Sequence, residues 1–157
     1  MTHATPLTRR SALAAIGAGA LAIGVVTPGR AEGNGMDQVI REALAGARAT
    51  PGRVHVDLPA LAESGNSVPL KVMVDSPMTA GDHVRRVLIF SDRNPRPWIA
   101  TMSLGPRAGR AEVGTNIRLN GTQNVVAIAE MSDGTYWRDE RNVEVTIGAC
   151  DSLALRF

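Results

Sequence analysis

An alternation of apolar and polar residues runs through most of the chain and limits its possible folds more than any other feature. Segment 67–76 shows it best, because the residues on one side of the extended chain are all apolar: Val68, Leu70, Val72 and Val74. A period of two residues is typical of a strand with one buried and one solvated face. The sequence therefore predicts a β-strand that lies over a hydrophobic core.

Further short segments carry similar strand patterns, at 53–59, 84–91, 98–104, 110–119, 123–130, 135–138 and 143–147. Turn-forming residues separate them. Asn120-Gly121 and Asp133-Gly134 are predicted to close hairpins, since both dipeptides accept the positive φ of a type I′ turn. Short strands at near-regular spacing predict an all-β fold, an antiparallel β-sandwich.

A different pattern precedes the strands. In segment 36–48, apolar residues recur at helical spacing: Met36, Val39, Ile40, Ala43, Leu44 and Ala47. The segment is predicted to form one short amphipathic helix, within a helix-and-linker region at 32–52. Its apolar stripe would dock on the domain itself or on a partner.

The first 31 residues are typical of an export signal. Arg9-Arg10 precede a weakly apolar stretch, and Gly29-Arg30-Ala31 offers the small residues that a signal peptidase requires. We expect a twin-arginine signal peptide at 1–31, export in a folded state to the periplasm, and no membrane span after processing. The alternative is an uncleaved membrane anchor.

Net charge gives no reason to expect a nucleic-acid partner. The chain has 17 Lys and Arg against 15 Asp and Glu. Three of the arginines and none of the acids lie in the expected signal peptide, so the remainder would carry a charge of −1.

Cys150 is the only cysteine, and it follows Gly148-Ala149 directly after the last predicted strand. A lone cysteine is often a small buried hydrophobe. A glycine that releases the backbone from strand geometry favours instead an accessible thiol on a C-terminal arm at 148–157. No histidine stands nearby in the sequence to activate it, so a carrier modified by other enzymes fits better than an independent thiol enzyme.

Other chemistry has weak support. His55 and His83 have no metal-ligand spacing, and no phosphate-binding or nucleophile motif is present, so we expect no metal, cofactor or catalytic site. The loop 105–110 could cradle an anion, but a hairpin loop with solvated arginines is the simpler interpretation. Arg85-Arg86, Arg93 and Arg96 are interpreted as surface charge that could attract an anionic substrate or acidic partner.

Motifs along most of the chain resemble the SoxY family. They are G-N-S-V-P-L (65–70), V-D-S-P-M-T (74–79), D-H-V (82–84), I-F (89–90), R-N-P-R-P (93–97), T-N-I-R-L (115–119), V-V-A-I-A-E-M-S-D-G (125–134) and the closing V-T-I-G-A-C (145–150). SoxY is the sulfur-carrier subunit of the periplasmic thiosulfate-oxidising Sox system, and it also carries a twin-arginine leader.

The resemblance implies an immunoglobulin-like sandwich domain at 53–147, paired with a separate SoxZ-like chain in a heterodimer. It implies that Cys150 carries thiosulfate-derived sulfur and that Gly148 gives the arm flexibility. A c-type haem partner would join thiosulfate to the thiol, a hydrolase would release sulfate, and further enzymes would oxidise the remaining sulfane sulfur. The chain itself would not be an enzyme.

The end of the sequence departs from the family's G-G-C-G-G ending. Ala149 replaces the second glycine, Asp151 follows the cysteine, and Ser152 to Phe157 extend the chain. A second interpretation therefore stays open, a divergent interaction subunit whose cysteine is structural or serves another redox or sulfur pathway.

Overall fold

The computed structural model describes residues 35–149. It contains one α-helix, nine strands and one short 3₁₀ helix within that range. Their bounds are α1 Met36–Ala43, β1 Ala49–Pro51, β2 Val54–Asp57, β3 Leu61–Ser64, β4 Val68–Val74, β5 Val84–Ser91, β6 Trp98–Ser103, the 3₁₀ helix Pro106–Ala108, β7 Glu112–Ile117, β8 Gln123–Met131 and β9 Tyr136–Ile147.

The strands form two sheets that stack as a sandwich. The smaller sheet has the order β2-β4-β7 and is antiparallel throughout. The larger sheet has the order β1-β9-β8-β5-β6, and β3 also pairs with β9. The fold is thus the immunoglobulin-like β-sandwich with a short N-terminal helix that the sequence predicts.

The main core lies between the two sheets. Strand β4 alternates strictly between buried and exposed residues, and the predicted inward positions are confirmed, with Val68 and Val72 fully buried. Val87 and Ile89 of β5 face them from the larger sheet, within the same apolar cluster. Burial of each such side chain contributes roughly 1.5–3 kcal/mol, so this layer is the main source of stability.

A second apolar cluster covers the opposite face of the larger sheet. Leu88 and Phe90 of β5 pack there with Val126 and Ile128 of β8, and Leu44 closes the cluster at 2% exposure. The helix stripe packs against the same cluster, so it docks on its own domain. Strands β5 and β8 are consequently buried on both faces, which explains their long apolar runs.

The helix ends earlier than the predicted limit at residue 48. It stops at Ala43, and the chain turns at Ala45 and Gly46, whose φ values are 50° and 83°. Residues 49–51, predicted to be linker, form β1 instead and pair in parallel with the start of β9. Strand β3 pairs in parallel with the end of β9, so the sandwich is not antiparallel throughout.

The two predicted hairpin turns have different outcomes. Asp133-Gly134 does join two neighbouring antiparallel strands, β8 and β9. A type I′ turn is wrong, because Gly134 has a φ of 83° whereas Asp133 is not among the residues with positive φ. The Asn120-Gly121 hairpin is also wrong, because β7 and β8 belong to different sheets and this connection crosses between them.

Candidate functional site

The predicted attachment residue, Cys150, lies outside the described residues, whose range ends at Ala149. The structure does describe the backbone that leads directly to it. We call this region the arm root and define it by Gly65, Leu119, Ile147, Gly148 and Ala149. Its geometry shows how the sandwich holds the chain just before the cysteine.

Three backbone hydrogen bonds tie the arm root together. The Gly65 amide donates to the Ile147 carbonyl at 2.7 Å, and the Leu119 amide donates to the Gly65 carbonyl at 2.8 Å. The Ala149 amide then donates to the Leu119 carbonyl at 2.9 Å. The β7–β8 connection therefore fixes the last described residue to the body of the domain.

Gly65 allows this close approach because it lacks a side chain. A Cβ atom at this position would lie 2.0 Å from the Leu119 carbonyl oxygen and 3.1 Å from the Ala149 nitrogen. Any larger residue would push the backbone at Gly65 away from the backbone at Leu119. The sequence gave no sign of this contact, because the partners of Gly65 lie far away along the chain.

Gly148 is buried, and both of its neighbours take part in the hydrogen bonds described above. The hydrogen bonds that hold the backbone thus reach one residue past Gly148. A role for Gly148 in arm flexibility stays a prediction.

Amide side chains, one of them buried, stabilise the same end of the sandwich. Gln123, 2% exposed, donates to the Asn94 side-chain oxygen and to the Gly121 carbonyl, each at 3.1 Å. Asn94 also accepts from the Asn120 amide at 2.9 Å. Thr122 exchanges hydrogen bonds with the Val145 backbone. The Val145 amide donates to the Thr122 hydroxyl at 3.0 Å, and this hydroxyl donates to the Val145 carbonyl. These contacts set the position of the connection that carries Leu119.

The arginines singled out in the sequence have separate surroundings. Arg85 and Arg86 both reach the carboxylate of Glu130, whose side chain is 9% exposed. The hydrogen bond that Arg86 donates to the Glu130 carboxylate raises the pKa of Arg86 above its usual value. Arg93 lies elsewhere and donates to the Thr122 carbonyl at 3.0 Å. Arg85 and Arg86 are thus partly neutralised in the fold.

The two described histidines do not come together as a ligand set. His55 contacts Asp75 at 2.9 Å, whereas the His83 ring lies 3.1 Å from the Thr79 carbonyl. Within residues 35–149, no group of three or more His, Cys, Asp or Glu side chains is arranged to hold a metal ion. The same range contains no helix long and apolar enough to cross a membrane.

Solved structures that share the fold include a sulfur carrier protein and superoxide reductases. The sulfur carrier protein SoxY from Chlorobium limicola f thiosulfatophilum matches with a TM-score of 0.60 and 26% identity, over 70% of this chain and 90% of that one. A superoxide reductase (neelaredoxin) from Ignicoccus hospitalis matches with a TM-score of 0.54 and 15% identity, over 60% of this chain and 80% of that one. A superoxide reductase from Nanoarchaeum equitans matches with a TM-score of 0.51 and 13% identity, over 61% of this chain and 100% of that one.

The superoxide reductases share the fold alone, because their identity to this chain is so low. No curated protein matches the sequence. The model of one protein family does match, and its description is sulfur oxidation protein SoxY. That match covers residues 41–150, most of the chain, and its last residue is Cys150. The chain therefore belongs to the SoxY family of sulfur oxidation proteins.

Proposed function

We propose that this protein is a periplasmic sulfur carrier that holds thiosulfate-derived sulfur on Cys150 while partner enzymes oxidise it. The observation that carries the proposal is the family match through Cys150, next to a backbone that the sandwich fixes up to Ala149. The resemblance to the Chlorobium sulfur carrier supports it. A SoxZ-like chain would be the partner in a heterodimer, and export would use the twin-arginine route.

The chemistry needs a thiol and an external electron acceptor. The Cys150 thiol and thiosulfate would form one S–S bond, giving a protein thiosulfonate, one proton and two electrons. A c-type haem partner would take the electrons. Water would then cleave the S–S bond to the terminal sulfonate, which releases sulfate and leaves a persulfide on the cysteine. Other enzymes would oxidise that sulfane sulfur, so the chain itself performs no catalysis.

The arm root supports this division of labour. A carrier must bring its adduct to several enzymes while its own domain keeps its shape. The three hydrogen bonds of the arm root attach the chain beside Cys150 to Gly65 and to the β7–β8 connection. The cysteine thus begins from a fixed point, which lowers the entropic cost of presenting it to a partner.

The test is thiosulfate-dependent growth and oxygen uptake in cells that carry Cys150→Ser as their only copy, with Cys150→Ala beside it. Both variants should abolish thiosulfate oxidation, because neither residue can form a disulfide-type bond. Intact-mass measurement of the protein from thiosulfate-grown cells should show reducible sulfur adducts on Cys150. Normal oxidation in Cys150→Ser cells would refute the carrier function.

The alternative interaction subunit makes the opposite prediction for the thiol. Maleimide should label Cys150 in the native protein if the cysteine is a carrier. A cysteine that reacts only after unfolding, together with a single unmodified mass, would favour a binding subunit whose thiol is structural.

A further inference from the structure

A cavity of about 360 Å³ opens at the arm-root end of the sandwich, between the β5–β6 loop and the end of β7. Its lining residues are Asn94, Pro95, Arg96, Trp98, Ile99 and Arg118. Arg118 directly precedes Leu119, whose carbonyl holds the Ala149 amide. The cavity and the arm root therefore share one stretch of backbone.

The lining carries positive charge and no carboxylate. Arg96 and Arg118 are both exposed, and neither forms an ion pair within the part of the chain that the structure describes. Two arginines that line one cavity and have no carboxylate partner among the described residues favour an anion, above all an oxyanion that accepts paired hydrogen bonds.

The backbone of the cavity is held in place before any ligand arrives. The side-chain amide of Asn94 donates to the Arg118 carbonyl at 2.9 Å and joins the loop to the β7–β8 connection. Trp98 donates its indole N–H to the Thr101 hydroxyl at 3.0 Å and contacts the buried Phe90 ring at a centroid distance of 5.5 Å. A site that is already ordered loses less entropy on binding.

One wall of the cavity is apolar. The Trp98 side chain remains 41% exposed, and Pro95 and Ile99 lie beside it in the lining. An anion with charged oxygens at one end and a soft, polarisable atom at the other would meet the arginines and the indole together. Polarisable sulfur makes favourable contacts with aromatic rings, often at the ring edge, where the partial charge is positive.

We propose that this cavity is a reversible, non-covalent binding site for a small sulfur oxyanion, with thiosulfate as the best-fitting member of the class. The choice of a sulfur oxyanion rests on the proposed carrier function. Binding of an oxyanion of any kind is inferred from the charge and the shape of the cavity alone. Its position would raise the local concentration of the anion beside the arm that carries Cys150.

The test is an NMR titration of the full-length Cys150→Ser protein, in which covalent attachment is impossible. The chain has two tryptophans, so the Trp98 indole N–H signal reports on the cavity and the Trp137 signal serves as an internal control. Thiosulfate, sulfate and phosphate are each added at constant ionic strength, with chloride as the reference anion. Thiosulfate should shift the Trp98 signal saturably, with a Kd on the order of 1 mM.

Matched variants assign the effect to the two arginines. The double variant Arg96→Gln/Arg118→Gln should weaken thiosulfate binding by about 10-fold or more, because charge-assisted hydrogen bonds are lost. The control is Arg107→Gln/Arg110→Gln, which removes the same charge from the exposed 105–110 loop and should leave the Kd unchanged.

Each outcome of the titrations either supports or overturns part of the proposed site. A preference for thiosulfate over sulfate and phosphate, lost only in the Arg96/Arg118 variant, supports the proposal. Equal affinity for all three anions overturns the proposed preference for thiosulfate and leaves a general oxyanion site. A Trp98 shift that does not saturate, or an equal loss in both double variants, overturns the site itself. Since Cys150 is absent from the assay, a failure here leaves the carrier function standing and separately testable.

Discussion

The two ends of the sandwich are held together by different kinds of interaction. At one end, which we call the charged end, contacts between basic and acidic side chains lie on the surface. Arg53 contacts Asp82 at 3.5 Å and His55 contacts Asp75 at 2.9 Å, and the two acidic side chains are 50% and 70% exposed. Arg53 also lies over the Trp137 ring, 5.7 Å from its centroid.

At the arm-root end, short backbone hydrogen bonds and the buried side-chain amide of Gln123 hold the sandwich together instead. Exposed ion pairs contribute about 0–1 kcal/mol each, because water and salt screen them. A buried polar group that loses its partner costs about 1–3 kcal/mol. The comparison indicates that the arm-root end, which leads to Cys150, tolerates substitution less well than the charged end does.

A glycine-to-alanine pair should show the largest difference between the two ends. Gly65→Ala places a methyl group against the Leu119 carbonyl, whereas the Cβ of Gly81→Ala at the charged end meets open space. We expect Gly65→Ala to lower the free energy of unfolding by about 3 kcal/mol and Gly81→Ala to change it by less than about 0.5 kcal/mol. Urea denaturation of both variants measures this, and equal midpoints would contradict the comparison.

A polar substitution pair should show a smaller difference. Gln123→Leu removes the donor to Asn94 and to the Gly121 carbonyl at nearly constant volume, so we expect a loss of about 2 kcal/mol. Asp75→Asn removes the charge of an exposed pair and should cost less than about 0.5 kcal/mol. The same denaturation assay applies, and a cost for Asp75→Asn as large as that for Gln123→Leu would reverse the ranking.

The smallest effect concerns pH. Hydrogen bonds from Thr135 hold the pKa of the exposed Asp133 below its ordinary value of 3.8. A lowered folded-state pKa stabilises the protein above the unfolded-state pKa, and this contribution is lost as the pH falls through the folded-state value. The melting temperature of the wild type should therefore fall more steeply below about pH 4 than that of Asp133→Asn. Parallel curves for the two proteins would show that Asp133 contributes nothing.

The pattern of apolar residues along the sequence predicted most of the strands, whether they are buried on one face or on both. Segment 67–76 contains β4, and 84–91 has the bounds of β5, because apolar residues there must face a core. Strands β1 and β3 were missed, since they have only 3 and 4 residues and depend on pairing with the distant β9. Local turn residues at Asn120-Gly121 predicted a bend but not the sheet to which the chain continues.

The candidate site was predictable only in part. The sequence alone identified the lone cysteine, Cys150, as a candidate functional residue. Its role stays a prediction. The contact of Gly65 with Leu119 was not predictable, because residues 54 positions apart meet only when the two sheets stack. The cavity beside Arg118 was equally hidden, since it joins a loop to a strand end through the amide of Asn94.

The parallel pairing of β3 with β9 has a mechanical consequence. Leu61, Ala62 and Ser64 pair with Glu144, Val145 and Ile147 near the end of β9, and β8 pairs along its other edge. A pull on the chain at Ala149, directed along β9, therefore loads these hydrogen bonds together in shear rather than one by one. If a partner that holds the cysteine pulls on the chain, the force would be distributed over the sheet. Strand β9 would then resist separation from its neighbours.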